Sequence, residues 1–150
     1  MGNWKWKWVA VLAAFALGEL DPLGWVYWTI AERRLPEIKR QSLATSSPFE
    51  TIPQATWIAD SPRAFAVDAK DPQAPVHFLV IPKQRIVSLL EAPPDLLAEM
   101  LVLARDTARA RAIAEEGFRV VINTNPRGAQ SVYHLHMHVL GGRQMRWPPG

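Results

Sequence analysis

The chain of 150 residues contains no cysteine. This absence excludes disulfides, thiolate ligands for zinc and a thiol nucleophile. Basic residues exceed acidic ones by only three and are scattered along the sequence, so we expect no nucleic-acid partner. Internal repeats and low-complexity segments are missing as well. The apolar fraction of 49% is enough for one ordinary core.

The first 46 residues differ in composition from the rest of the chain. Five of the seven tryptophans lie within the first 28 residues, beside two apolar runs at 9–18 and 23–31. Acidic residues separate the two runs, and a basic cluster follows at 33–40. We therefore divide the chain into an N-terminal apolar segment, residues 1–46, and a domain, residues 47–150.

Three interpretations of the N-terminal segment remain open. Its first apolar run has the length and the preceding lysines of a secretory signal. The segment is also long enough to span a bilayer, although Glu19 and Asp21 would then lie near the centre of the span. The third interpretation is a helix, kinked near Pro22, that docks on a larger assembly. As a membrane or assembly anchor, residues 4–40 would favour a membrane-associated or organellar location, mitochondrial or plastid, over the free cytosol.

The rest of the sequence predicts five strands and one long helix. We expect the strands at 57–59, 64–68, 76–81, 118–123 and 132–140, and the helix at 94–116. Apolar residues recur at helical spacing within the predicted helix, and Gly117 is its expected C-terminal stop. The hairpin-like spacing favours antiparallel pairing. The predicted fold class is α+β, with a five-stranded antiparallel sheet and the helix on one face.

Three of the four histidines alternate along the last predicted strand, as His134, His136 and His138. An extended backbone points alternate side chains to the same face, so the three imidazoles share one face while the apolar residues between them face a core. Imidazole is close to neutrality at pH 7, which suits nucleophilic attack and proton transfer. The outer pair would be about 13 Å apart on a regular strand. We therefore expect no metal at this site.

The loop at 123–131 precedes these histidines and favours phosphate binding. It combines turn-forming residues with small ones, which lets backbone N–H groups approach an anion closely. On a regular strand Ser131 would point away from the histidines, so it reaches their substrate only if the strand begins with a bulge or turn.

The segment 134–140 resembles the signature of the histidine triad (HIT) superfamily. Asn123, Gly128 and Gln130 stand at the spacing of that signature. The flanking segments 71–83 and 141–150 resemble the Hint branch, the purine nucleoside phosphoramidate hydrolases. The uridylyltransferase branch is similar but ends its motif in Gln, whereas the third position here is His138. The resemblance covers roughly residues 49–150 and implies a HIT-like fold.

The resemblance implies roles for individual residues. His136 would be the nucleophile, and His134 would support the hydrogen-bond network of the site. His138, His77 and Ser131 would contact phosphate oxygens or protonate the leaving amine. The residues that would hold ribose and phosphate are Asn123, Gly128, Ala129, Gln130 and Ser131.

Two positions depart from the family pattern. The acidic residue that binds the ribose hydroxyls in the family stands eight residues before the equivalent of His77. That position is Ala69 here, and a one-residue insertion would give the role to Asp68. The second glycine of the family's phosphate loop is Ala129, which has a narrower choice of backbone conformations.

The resemblance implies a hydrolase that cleaves the P–N bond of purine nucleoside 5′-monophosphoramidates through a covalent nucleotidyl-histidine. The expected partners are a substrate with an AMP or GMP moiety and a second copy of the chain in a homodimer. No cofactor is expected. The alternative is a nucleotide-binding or structural subunit of a membrane-bound assembly with little or no turnover.

Overall fold

The computed structural model describes residues 22–147, and side chains from residue 33 onward. The predictions that concern residues 1–21 and 148–150 lie outside the described residues. Helix α1 extends over Pro22–Ala44. No helix of the described part is long and apolar enough to cross a membrane. The chain divides into two units, with the boundary between Pro36 and Glu37. Residues 37–46, which the sequence assigns to the N-terminal segment, thus belong to the second unit.

The second unit contains one antiparallel sheet of five strands and one long helix of its own. The strands are β1 (Ala59–Asp60), β2 (Ala64–Asp68), β3 (Val76–Pro82), β4 (Phe118–Val121) and β5 (Met137–Gly141), and the helix is α2 (Pro94–Ala110). Their order across the sheet is β1-β2-β3-β5-β4. Every neighbouring pair is antiparallel. The predicted α+β class is confirmed.

Helix α2 covers one face of the sheet and forms the main core with it. Its buried side chains recur at helical spacing, which is why this sequence forms an amphipathic helix. They pack against the strand residues that point to the same face, including Phe78, Val80, Met137 and Val139. A smaller cluster of Phe65, Val67 and Ile81 occupies the opposite face. One face of the sheet therefore packs against α2, and the histidines lie on the opposite face.

Helix α2 ends six residues before the predicted end at Glu116. Ala112 has a left-handed backbone, with φ of 56°, and the N–H of Ile113 bonds to the carbonyl of Ala108 at 3.1 Å. This is the hydrogen-bond pattern of a Schellman C-cap, in which the residue after the left-handed one packs back on the core. Ile113 is indeed buried. The prediction placed the end too late because the left-handed position holds alanine instead of glycine.

The last strand begins five residues later than predicted. Only His138 of the three alternating histidines lies within β5, while His134 and His136 precede it. Strand β1 shares only Ala59 with its predicted range, 57–59. The prediction of one continuous histidine strand is therefore wrong in its backbone pairing.

Gly141 stands where β5 passes the end of helix α2, and it leaves no room for a side chain. A Cβ at this position would lie 2.7 Å from Cδ1 of Ile113. We expect Gly141→Ala to lower the free energy of unfolding by about 1–3 kcal/mol, the usual cost of overpacking. Urea unfolding measures this loss. Combining Gly141→Ala with Ile113→Val removes the clashing methyl group, so the double variant should lose less than the sum of the single losses; simple additivity would contradict the steric explanation.

Candidate active site

The alternating histidines share one face even though two of them lie outside the strand. Leu135, Met137 and Val139 are all buried in the main core on the α2 side. Their burial turns the residues between them to the other face. The ring centroids of His136 and His138 are 4.9 Å apart, and those of His138 and His77 are 5.2 Å apart. The structure therefore brings His77 and the three motif histidines together in one cluster.

The hydrogen bonds of His136 leave one of its nitrogens available for attack. Its Nδ1 lies 2.8 Å from the carbonyl oxygen of His134. A carbonyl oxygen only accepts, so Nδ1 carries the proton and donates it. Nε2 of the neutral ring then holds a lone pair. This tautomer is the one that a nucleophilic histidine requires.

His134 is fixed from both sides. Its Nε2 lies 2.9 Å from the carbonyl oxygen of Pro82, so Nε2–H is the donor. Its Nδ1 then accepts from the hydroxyl of Ser47 at 2.9 Å. Both nitrogens are used, and the ring is almost fully buried. His134 can hold its neighbours in place, but it has no free nitrogen to offer to a substrate.

His77 and His138 are joined directly by a hydrogen bond of 3.0 Å between Nε2 of His77 and Nδ1 of His138. The backbone N–H of Gln73 donates to Nδ1 of His77 at 3.1 Å. In the neutral pair, His77 therefore carries its proton on Nε2 and donates it to His138. This places the proton of His138 on Nε2. The pair can share or pass on a proton.

Burial keeps the imidazoles of this cluster neutral. Desolvation lowers the pKa of each of the four histidines below the ordinary value of 6.5. For His138 the pKa falls to about 4, because the neighbouring rings of His136 and His77 add repulsion to the burial. For His136 the carbonyl of His134 partly opposes the effect of burial. At pH 7 the cluster thus contains a neutral nucleophile beside a neutral donor pair.

The predicted phosphate loop is a tight, strained turn. Asn125 has φ of 61° and ψ of 175°, a region that glycine alone adopts freely. A turn of 3-10 helix at Pro126–Gly128 follows, and Ala129 is left-handed with φ of 58°. Gly128, Ala129 and Ser131 are exposed, whereas Asn123 is half-buried. The N–H groups of Gly128 and Ala129 bond the carbonyls of Asn125 and Pro126 within the turn. The exposed hydroxyl of Ser131 is accessible to a ligand.

The side chain of Gln130 stabilises this turn from the interior of the protein. It is buried, and its Oε1 accepts from the N–H of Asn125 at 2.9 Å. Its Nε2 donates to the carbonyls of Val87 and Val132. The side chain of Gln130 thus stabilises the loop conformation through its own hydrogen bonds, which differs from the predicted contact with the nucleotide.

The structure does not bring Asp68 to the histidines, so the expectation that it binds the ribose is wrong. Asp68 follows Ala64 and Ala66 on the face of β2 that packs towards α2. Its carboxylate pairs with Arg111 at 2.9 Å. Strand β2 remains paired with β3 through Asp68, opposite Phe78. The regular register keeps the carboxylate on the wrong side of the sheet for the role that an insertion would have restored.

Two residues at the site were missed from the sequence. The ring of Phe49 meets the rings of His134 and His136 edge to face, with centroids 5.6 and 5.1 Å away. Ser47, the partner of His134, caps the 3-10 helix Pro48–Thr51 in a capping box with Glu50. A Ser followed three residues later by Glu is a recognised start signal. That signal predicts the local turn, but it gives no hint that the serine reaches a histidine 87 residues away.

The burial of these neutral histidines makes stability depend on pH. In the unfolded chain the imidazoles bind protons near pH 6.5, whereas in the folded protein they do so only at lower pH. We expect the free energy of unfolding to be highest above pH 6.5 and to fall as the pH drops towards 4. Urea unfolding at intervals across this window measures the slope. His138→Asn should flatten it; an unchanged slope in that variant would contradict the assignment.

Solved and curated proteins resemble more than half of this chain. An uncharacterised HIT-like protein of Synechococcus elongatus is 55% identical over 82 residues, which cover 53% of this chain and 71% of that one. Adenylylsulfatase HINT1 of Arabidopsis thaliana is 45% identical over 101 residues, or 64% and 68% of the two chains. The crystal structure of a HIT family hydrolase from Legionella pneumophila superposes with a TM-score of 0.65 and 41% identity, covering 70% of this chain and all of that one.

A relative from Brassica juncea, 44% identical over 64% of this chain and 88% of its own length, is named a 14 kDa zinc-binding protein. In the part of the chain that the structure describes, no group of three or more His, Asp or Glu side chains is placed to hold one ion. His77 and His138 bond each other, and both nitrogens of His134 are engaged. The residues present do not fit a metal centre, and we derive no step through a metal.

The family model of the HIT domain matches residues 51–145. This range contains the sheet, helix α2, the strained loop and all four histidines. The match extends over more than half of the chain and agrees with the solved structure that shares its fold. The chain belongs to the HIT domain family.

Proposed function

We propose that this protein hydrolyses purine nucleoside 5′-monophosphoramidates through a covalent nucleotidyl-histidine. The observation that carries the proposal is the bond from Nδ1–H of His136 to the carbonyl of His134, which leaves Nε2 unprotonated. The hydrolase name of the Legionella relative supports the reaction class. The strained loop beside the histidines supports a phosphate ligand.

In the first step Nε2 of His136 attacks the α-phosphorus, and the P–N bond breaks with its electron pair on nitrogen. The leaving nitrogen must gain a proton to depart as an amine. The pair of His77 and His138 supplies it from Nε2–H of His138. An anionic phosphoryl group favours the protonated form of this pair, so the pair gains a proton when the substrate binds. After transfer the pair is neutral.

The intermediate places a positive charge on the His136 ring. Its Nδ1–H still faces the carbonyl oxygen of His134, which stabilises that charge. In the second step water attacks the phosphorus and gives its proton to the His77 and His138 pair. The P–Nε2 bond breaks, neutral His136 is restored, and the nucleoside monophosphate leaves. Dividing the displacement into two easier steps avoids a single step that would be more difficult.

The exposed loop binds the nucleotide in this proposal. The backbone N–H of Ser131 lies next to the histidine segment in sequence and contacts a phosphate oxygen. The N–H groups of Gly128 and Ala129 bond the carbonyls of Asn125 and Pro126 and so maintain the turn. The hydroxyl of Ser131 has the same task, and Asn123 holds the ribose. Gln130 acts indirectly, because its side chain holds the loop in shape.

The Arabidopsis relative is named for the cleavage of adenylyl sulfate, and the same intermediate would serve that substrate. The two substrates differ in the leaving group. An amine needs a proton from His138, whereas sulfate leaves as a stable anion without one. This difference in leaving group separates the two substrates experimentally.

We expect His136→Ala to lose at least a thousandfold in turnover of adenosine 5′-phosphoramidate while the fold is kept. The nucleophile is then absent, and no other free imidazole Nε2 replaces it. His134→Ala should be milder because its role is support. Single-turnover mass spectrometry should detect nucleotidyl-His136 in the wild type. Turnover of His136→Ala within tenfold of wild type would contradict the covalent mechanism, and a wild type with nucleotide binding but no adduct would favour the non-catalytic subunit.

The control for proton donation is His138→Asn, assayed with both leaving groups. Asparagine removes the acid but preserves a polar side chain of similar reach. We expect turnover of the phosphoramidate to fall at least tenfold more than turnover of adenylyl sulfate. Equal losses with both substrates would contradict the role of His138 as the acid.

We also propose a homodimer, as the family resemblance implies. Strand β4 is an edge of the sheet in the order observed, and such an edge can pair with another strand. Leu101 and Val102 of α2 are about half exposed, and Trp147 is 85% exposed. Sheet extension together with helix packing would cover these groups.

Sedimentation of the full chain tests the dimer. We expect twice the chain mass at tens of micromolar. An arginine introduced in the exposed apolar face of α2, Leu101→Arg, should weaken association without changing the fold. A wild type that sediments as a monomer over this range would contradict the proposal.

A further inference from the structure

Hydrogen bonds join the C-terminal end of helix α1 to the segment that carries the histidines. Arg85 makes this connection, because its guanidinium donates hydrogen bonds to three carbonyl oxygens. Nη2 donates to Ser42 at 2.6 Å, Nη1 donates to Thr45 at 2.7 Å, and Nε donates to Tyr133 at 3.1 Å. Two of these carbonyls lie at the C-terminal end of α1, and the third precedes His134. Only a planar guanidinium can bond three acceptors in this fork.

Two further contacts join the same elements. The hydroxyl of Ser42 accepts from the N–H of Tyr133 at 3.0 Å. The ammonium of Lys39 donates to Oδ1 of Asn125 at 3.1 Å and lies 5.3 Å from the centre of the Tyr133 ring. Both the strained Asn125 and the residue before His134 are thus held by α1. This is more than a chance contact at one point.

The histidine segment needs such partners because it lies outside the sheet. Strand β5 begins at Met137, so residues 133–136 have no complete ladder of backbone bonds. Instead, the N–H of Leu135 bonds the carbonyl of Ile86, while Ser42 and Arg85 satisfy the N–H and the carbonyl of Tyr133. Buried backbone groups left unpaired would cost free energy. Arg85 and Ser42 thus supply the hydrogen bonds that a neighbouring strand would otherwise make to Tyr133.

The next carbonyl along the chain is the one that orients the nucleophile. Tyr133 is followed by His134, whose carbonyl accepts from Nδ1 of His136. A shift of the Tyr133 peptide moves that carbonyl and so changes the tautomer and direction of His136. Arg85 lies at the start of this short covalent path.

We propose that Arg85 is a positioning residue for His136, and that residues 37–45, at the C-terminal end of α1, are part of the active site. Arg85 touches neither substrate nor reacting atoms. It holds the segment 133–136 in the conformation that presents Nε2 of His136. The inference rests on the proposed function for its kinetic consequence, but the structural consequence is independent of the substrate.

The experiment compares three variants of the full chain with a matched control. Arg85→Ala removes all three bonds, Arg85→Lys retains a cation without the fork, and Ser42→Ala removes the acceptor of the Tyr133 N–H. The control is Arg63→Ala, which also removes a multiply bonded arginine. Arg63 pairs with Asp95 and Glu99 of α2, on the face away from the histidines. The readouts are kcat and KM for adenosine 5′-phosphoramidate and amide exchange across 125–136 in the free protein.

We expect Arg85→Ala to lower kcat at least tenfold with a smaller change in KM, because the nucleophile is misaligned. Exchange across 125–136 should become at least tenfold faster. Arg85→Lys should recover part of both losses, and Arg63→Ala should change neither. Arg85→Ala that matches Arg63→Ala in kcat and exchange would overturn the proposal. Faster exchange with unchanged kcat would also overturn it, since the hydrogen bonds of Arg85 would then stabilise the segment without positioning His136.

Two further outcomes are decided by the same measurements. If Arg85→Ala does not fold, the milder Ser42→Ala must still show faster exchange at Tyr133 and a lower kcat, and the proposal fails if both stay at wild-type values. If wild-type protein does not hydrolyse the phosphoramidate, the proposed function fails. Exchange across 125–136 in the Arg85 variants then still tests the hydrogen-bonded connection by itself: unchanged exchange overturns it, and faster exchange supports it.

Discussion

The burial of every second residue from Leu135 to Val139 is the constraint on which the site depends. Leu135, Met137 and Val139 fill the core beneath α2, and their apolar side chains lose most by exposure to water. With these side chains fixed inside, the intervening histidines have only the opposite face available. The core thus sets the direction of the imidazoles, whether or not the backbone is a paired strand.

The same constraint creates a demand for polar partners. A segment that is pulled into the core before the sheet begins must pair its backbone groups with something other than a neighbouring strand. Arg85, Ser42 and Ile86 supply these partners. The imidazoles are satisfied in turn by the carbonyls of Pro82 and His134. These bonds choose a single tautomer for His136, and burial keeps its ring neutral. The support of the backbone and the chemistry of the site are therefore one network.

The N-terminal segment that composition defines does not coincide with a unit of the structure. Composition separates residues 1–46 from the domain, because tryptophans and apolar runs are concentrated there. The contacts place Glu37 and the residues that follow with the domain. Lys39, Ser42 and Thr45 carry no apolar signal, yet Lys39 contacts the loop, and Ser42 and Thr45 contact Arg85. A boundary drawn from composition marks where the residue types change, and this need not coincide with the limit of a compact unit.

The sequence by itself determined the α+β class, the five strands in outline, the family and the identity of the histidine cluster. These follow from local patterns: period-two burial, helical spacing and a dense motif. It misplaced the start of β5, the end of α2 and the role of Asp68. Strand limits depend on which partner is near, the left-handed Ala112 has no local signal, and the face of Asp68 depends on the register with β3. Only the tertiary structure decided the tautomers and the bonds of Arg85. Their partners are 40 or more residues apart in sequence, or depend on the backbone conformation that those partners impose.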